Sequence, residues 1–384
     1  TFHRLPLIEI KTLTEKINWI RGKVLIYRHL GSIYRNIDEV KNAIIAYQNC
    51  VTFSLQIKDS FNLAESYSFI GTMFQTSNQF DSSLFYHQLS LKYRTSPRSR
   101  IASLANLAVV YNLLGDFPRA LNNYIQATKI NQSILNSTNK NNDDSLTQAG
   151  LLFNIGEIYT QMKQYDKASE NYQEVLKMGQ RLKDTTFQMI GFRGIATTFS
   201  SKQNFAKSIE FNQKALKLCL ATNDKMYLPG VLNELGNSFF SLGNIDEALS
   251  NINQAKQLAE VKDYANNLPK IYTTLGNIYF SKKEYQTAIG FLQKSIQISA
   301  KLGVVADQRD ALQILSKVYQ QTEQPKEALD AFQQFISLRD SILNVDKVRQ
   351  MISTDMQFKF ETKQLADSLR QSLAFNLKIQ RQRV

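Results

Sequence analysis

The side chains with chemistry to offer are Arg28, Arg35, Asn106, Asn112, Asn154, Glu157, Arg193, Asn233, Asn237 and Asn277, polar residues set in otherwise apolar stretches. Asparagine carries a donor and an acceptor on one short arm, so a row of asparagines can hold the backbone of an extended peptide. Arginine adds a planar fork that takes a carboxylate through two bonds. Asn237 and Asn277 make the strongest pair, because they hold one position in adjacent units of the chain. The competing reading is that these residues are simply solvated and keep an unliganded surface soluble. Neither reading is catalytic. His3, His29 and His87 fall in different units, and none has metal-ligand spacing to Cys, Asp or Glu. There is no Gly-x-x-x-x-Gly-Lys, Gly-x-Ser-x-Gly or Gly-x-Gly-x-x-Gly run. Asp143 and Asp144 form a carboxylate pair, but the polar loop around them is expected to be too loose for acid/base geometry. The expectation is no enzyme, no cofactor and no metal.

What positions these residues is a repeat. Eight times the chain gives a small residue, an aromatic three later, a bulky apolar residue nine later and a small residue twelve later. The series runs from Gly31/Tyr34/Val40/Ala43 through Gly156/Tyr159/Tyr165/Ala168 and Gly276/Tyr279/Tyr285/Ala288 to Ser316/Tyr319/Pro325/Ala328, mostly 40 residues apart. A fixed period of this size is the signature of a solenoid, built from units that each bury a face against the next. Within a unit, apolar spacings of three and four read as two helices with a short break such as Ser241-Leu242-Gly243-Asn244. The small residues let the paired helices approach closely, and aromatics fill the space beside them.

The rest of the composition narrows the classes. Lys+Arg 46 against Asp+Glu 33 gives +13 over 384 residues, which suits acidic partners. No basic block is interleaved with aromatics, so nucleic acid is disfavoured. Cys50 and Cys219 lie in units one and five, too far apart in a solenoid to be bridged. No apolar run has the roughly 20 residues of a membrane helix. The chain begins at Thr1 without a Met or a visible signal peptide, and is expected to be a fragment or a processed form.

Leu275, Gly276, Tyr279, Ala288, Leu292 and Ser295, and likewise Ile155, Gly156, Tyr159, Ala168, Tyr172 and Val175, resemble the tetratricopeptide repeat (TPR) in its 40-residue form. The resemblance covers about residues 24–340. It implies an all-α, right-handed α-α superhelix of about eight helix pairs. Counting Gly31 as position eight, it implies that positions two, five, six, nine and twelve face the concave groove, which is where the polar residues above fall. The TPR groove that clamps acidic chaperone tails is matched only in fragments, with Arg28 present but Ser32 at position nine. Residues 1–23 read as the second helix of a truncated leading repeat. Repeats three and four are 48 apart, and the extra length, near 136–145, reads as an exposed polar insertion that contains the glycosylation-type triplet Asn136-Ser137-Thr138. Residues 341–384 read as one long helix, either a cap on the last repeat or a coiled-coil connector.

That tail, with Leu338-Arg339-Asp340-Ser341-Ile342-Leu343 and Met356-Gln357-Phe358-Lys359-Phe360-Glu361, is similar to the segment that follows the TPR array in membrane-bound sensors of Bacteroidetes type. The resemblance implies a non-catalytic TPR domain acting as the sensory or regulatory part of a bacterial signal-transduction protein, with its output enzyme and membrane helix outside this chain. The partner would be a protein or peptide segment in the groove, with a homodimer through 341–384, and the location the periplasmic side of the inner membrane. The alternative is a cytoplasmic TPR adaptor or scaffold that binds peptide segments; a third class is a structural oligomer.

Overall fold

The computed structural model describes residues 19–343. Sixteen α-helices fall into eight pairs: α1 (Ile20–Asn36) with α2 (Val40–Gln56), α3 (Ser60–Thr76) with α4 (Phe80–Tyr93), α5 (Pro97–Leu113) with α6 (Phe117–Leu135), and α7 (Asn142–Gln161) with α8 (Tyr165–Leu182). The series continues as α9 (Thr185–Ser201) with α10 (Phe205–Thr222), α11 (Leu228–Ser241) with α12 (Ile245–Ala259), α13 (Leu268–Ser281) with α14 (Tyr285–Leu302), and α15 (Val305–Gln321) with α16 (Pro325–Leu343). A short 3-10 turn, Lys262–Asn267, joins α12 to α13. No strand occurs among the described residues. Residues 1–18 and 344–384, which include most of the leading half repeat and of the tail, lie outside the described residues.

Local chemistry marks the helix ends. Asp59, Ser96, Asp116, Asn141, Asp184 and Asn204 cap the helices that follow them by accepting a backbone N–H with their side chains. Pro97, Pro118, Pro229 and Pro269 stand in first turns, where no N–H is missed. Between the helices of every pair one residue adopts the left-handed conformation: Asp38, Asn78, Gly115, Lys163, Gln203, Gly243, Lys283 and Glu323. Glycine favours that conformation, yet it fills only two of the eight turns, so the turns are enforced by the packing of the helices they join.

The core is the repeat made physical. Where the small residue of a first helix is glycine, it lies beneath a large residue of its second helix. A Cβ on Gly31 would meet Tyr47 at 2.6 Å, one on Gly156 would meet Tyr172 at 2.7 Å and one on Gly276 would meet Leu292 at 2.6 Å. Tyr172 also lies against Gly194 of the next repeat, so its ring is wedged between α7 and α9. The first helices of neighbouring repeats touch one another more extensively than the second helices do. They therefore line the inner side of the curve. The curl is tight enough to bring Asn78, in the α3–α4 turn, against Gly303, between α14 and α15.

Two boundaries differ from the sequence reading. Repeat one opens at Ile20 rather than at 24, because Gly22 is already buried beneath the Trp19 ring. The insertion is shorter and firmer than a loose loop through Asp144. It spans 136–141, and α7 starts at Asn142 with a capping box in which Asn141 and Asp144 each accept the other's backbone N–H. The Asp144 carboxylate is buried and takes two bonds of 2.8 Å from Arg98. Arg98 and the Asn141 backbone together hold its pKa down to about 2.

Candidate functional site

The inner face divides into two stretches. In repeats one to four the polar groups of the first helices are largely spent on joining neighbours. Arg28 donates to Asn62 Oδ1 at 3.0 Å, and Asn62 is held in turn by Asp59. The Arg35 guanidinium lies 5.0 Å from the centre of the Phe69 ring. Asn106 donates to Ser68 Oγ at 3.1 Å, tying repeat three to repeat two. Asn112 and Asn154 stand half-buried on α5 and α7.

From repeat four onward the groups converge. The Tyr172 hydroxyl donates to Glu157 Oε1 at 2.6 Å, and burial together with that carboxylate drives the phenol pKa far above its ordinary value. Arg193 lies 3.5 Å from Glu234, whose other oxygen accepts from Thr197 at 3.3 Å. Burial raises the Glu234 pKa, with Arg193 and Lys270 opposing it. Burial works against the charge on Arg193 as well, but Glu234 and Glu157 outweigh it and lift its pKa.

Beside this pair a cleft of about 390 Å³ opens across repeats five to eight. Asn233 and Asn237 line it, together with Glu234, Lys270, Thr273, Thr274, Asp307 and Asp310 from the first helices. Ser208 and Asn212 of α10 form part of its wall. Arg193 lines a smaller adjoining hollow of about 70 Å³, shared with Asn233 and Glu234. Of the residues singled out from sequence, Arg193, Asn233 and Asn237 thus come together. Asn277, at Asn237's position one repeat on, is half-buried and stands outside the cleft lining. Glu234, Thr273 and Lys270 sit at positions six, five and two, so the register already pointed to them. Asn212 gave a different signal. It is polar at a second-helix position that holds Tyr47, His87, Tyr124, Tyr172, Ile252 and Leu292 in other repeats.

Among the described residues no three His, Cys, Asp or Glu side chains converge as a metal site, and no helix is long and apolar enough to cross a membrane. Cys50 and Cys219 are free and buried in separate repeats, and burial pushes both thiols up, Cys219 to about 11.

Family profiles described as tetratricopeptide repeat match residues 100–143, 147–221, 227–301 and 267–341. The chain belongs to the tetratricopeptide repeat family. Comparison with curated proteins returns no match. Among solved structures the TPR array is similar to a Rap conjugation gene regulator of the plasmid pLS20, in complex with the Phr* peptide, at 10% identity and TM-score 0.63, over 88% of this chain and 95% of that one. It is also similar to a Rap protein complexed with Competence and Sporulation Factor, at 13% identity and TM-score 0.61, over 88% and 92%. A third is the apo quorum sensor NprR from B. thuringiensis, at 15% identity and TM-score 0.59, over 86% and 91%. At these identities the likeness is one of fold.

Proposed function

We propose that this chain is a non-catalytic, peptide-binding TPR domain that serves as the regulatory part of a signal-transduction protein. An extended segment of a partner lies along the inner face and is gripped in repeats five to eight. The observation that carries this reading is the cleft itself. Four successive first helices present Thr197, Asn233, Asn237, Lys270, Thr273 and Asp310 to one space, a spread of donors and acceptors that suits a peptide backbone. Two of the similar structures support it, one holding the Phr* peptide and one Competence and Sporulation Factor. A quorum sensor of the same fold supports the regulatory role.

The test is selection from a displayed random-peptide library on the 384-residue chain, followed by binding of the selected peptides to Asn233→Ala/Asn237→Ala. The expected outcome is enrichment of peptides that bind the parent and lose affinity at least about tenfold for the double variant, as two truncated backbone contacts would produce. Peptides that bind both proteins equally, or no enrichment at all, would remove the cleft from the account.

A further inference from the structure

Sixteen residues after the small position every other repeat carries a ring or an aliphatic chain, whereas repeat five has Asn212, 1% exposed. Its orientation follows from its neighbours. The Ser238 hydroxyl donates to the Glu234 carbonyl at 2.9 Å, so its single proton is committed. The 3.0 Å contact between Ser208 and Ser238 must then be donated by Ser208. Ser208 can therefore only accept from Asn212, whose Nδ2 lies 3.5 Å away. Asn212 Oδ1 is left as a buried acceptor with no donor.

The same cleft holds one more, and a carboxylate without a direct partner. Asn233 Oδ1 is buried without a donor. Asp307, 9% exposed, makes no hydrogen bond or ion pair through its carboxylate. The neighbouring acids are answered: Glu234 by Arg193 at 3.5 Å and Asp310 by Arg309 at 2.6 Å. Lys270 is exposed at the cleft and bridges neither Asp307 nor Glu234, though its charge opposes the rise that burial gives both pKa values. The two buried amide oxygens are costly to leave unmade, and burial raises the Asp307 pKa while Lys270 and Arg309 pull it down only from a distance. What satisfies all three is a group that carries positive charge and only donates.

We propose that Asn212, Asn233 and Asp307 form a subsite for an organic cation, a primary ammonium or guanidinium group. Asp307 supplies the charge and the two asparagine oxygens direct its N–H bonds. The subsite deepens the peptide-binding reading, in that the cation would be the N-terminus or a Lys or Arg side chain of the bound segment. A free amine would satisfy the same three acceptors.

The experiment titrates the full chain, labelled with ¹⁵N-asparagine, with alanine methylamide, N-acetyl-lysine methylamide, agmatine, the neutral N-acetyl-norleucine methylamide, and acetate. The expected result is that a cationic probe shifts the side-chain amide signals of Asn212 and Asn233, while the neutral analogue and acetate do not. Asp307→Asn should weaken that probe about tenfold or more, as loss of a charged partner does. Asn212→Leu, which restores the aliphatic filling seen at Leu292, should weaken it too and guards against a folding defect in the first variant. Alanine methylamide and N-acetyl-lysine methylamide distinguish a chain terminus from a side chain. The proposal is overturned if the neutral analogue binds as well, if acetate binds instead, or if no probe moves the two signals. Selected peptides that still need Asn233 and Asn237 but bind equally after their amines are acetylated would sink the subsite and leave the peptide-binding reading standing. Cationic probes that bind where no peptide does would do the reverse.

Discussion

His87 offers a direct measure of how tightly the repeat seam is closed. It is fully buried over Gly71, a Cβ on which would meet the imidazole at 2.9 Å, and neither ring nitrogen has a partner. Burial pushes its pKa down from 6.5 to about 4. That displacement corresponds to roughly 3 kcal/mol at about 1.4 kcal/mol per tenfold change. The folded chain keeps the ring neutral while the unfolded chain protonates below about 6.5. The stabilisation is therefore whole above pH 6.5, declines as the pH falls, and is exhausted near 4; about 2 kcal/mol of it should be gone by pH 5. His87→Leu copies Leu292 over Gly276. It should abolish this pH dependence and, by removing an imidazole without partners, stabilise the pair at pH 7 by about 1–3 kcal/mol. Because solenoid repeats open locally, the readout is hydrogen exchange of the α3 and α4 amides at pH 7 and pH 5, corrected for intrinsic rates. Equal pH dependence in parent and variant, or a variant less stable than the parent at pH 7, would refute the argument.

Other consequences are as specific. Gly194→Ala should drive a Cβ into the Tyr172 ring, which is 0% exposed and also wedged against Gly156; exchange in α8 and α9 should report a loss of about 1–3 kcal/mol. Gly290→Ala, where a Cβ meets nothing within 4 Å in the middle of α14, should instead gain up to about 1 kcal/mol in α14 protection. Arg98→Ala should raise the Asp144 pKa from about 2 toward its ordinary 3.8, moving the acid edge of α7 stability upward, because a depressed carboxylate stabilises above 3.8 and ceases to as the pH falls toward 2; a carboxyl-carbon NMR titration of both proteins decides it. At the hairpin turns, Gly243→Ala at φ 85 should cost about 1 kcal/mol or more, whereas Glu323→Gly at φ 54 should cost nothing or gain a few tenths. Urea unfolding of the two variants gives the comparison.

Much of the architecture was legible in the residues. The alternation of Gly31, Gly156 and Gly276 with Tyr47, Tyr172 and Leu292 records a contact between helices a fixed distance apart in sequence, and such a contact survives as a period. The groove register came with the resemblance to the TPR, which implies that positions two, five, six, nine and twelve face inward. What a period cannot carry is the departure from it. Asn212 and His87 occupy the same repeat position, yet one borders an open cleft and the other is sealed without a partner. Asp144 sits in a run that reads as loose polar loop and is pinned by Arg98, 46 residues earlier. Arg28 and Asn106 resemble the groove residues of the later repeats, but are taken up by Asn62 and Ser68. The sequence alone determined a helical solenoid, because that depends on local spacing. Only the tertiary structure decided which polar residues share one cleft, because that depends on how eight helix pairs curve and on which side chains find partners across repeats.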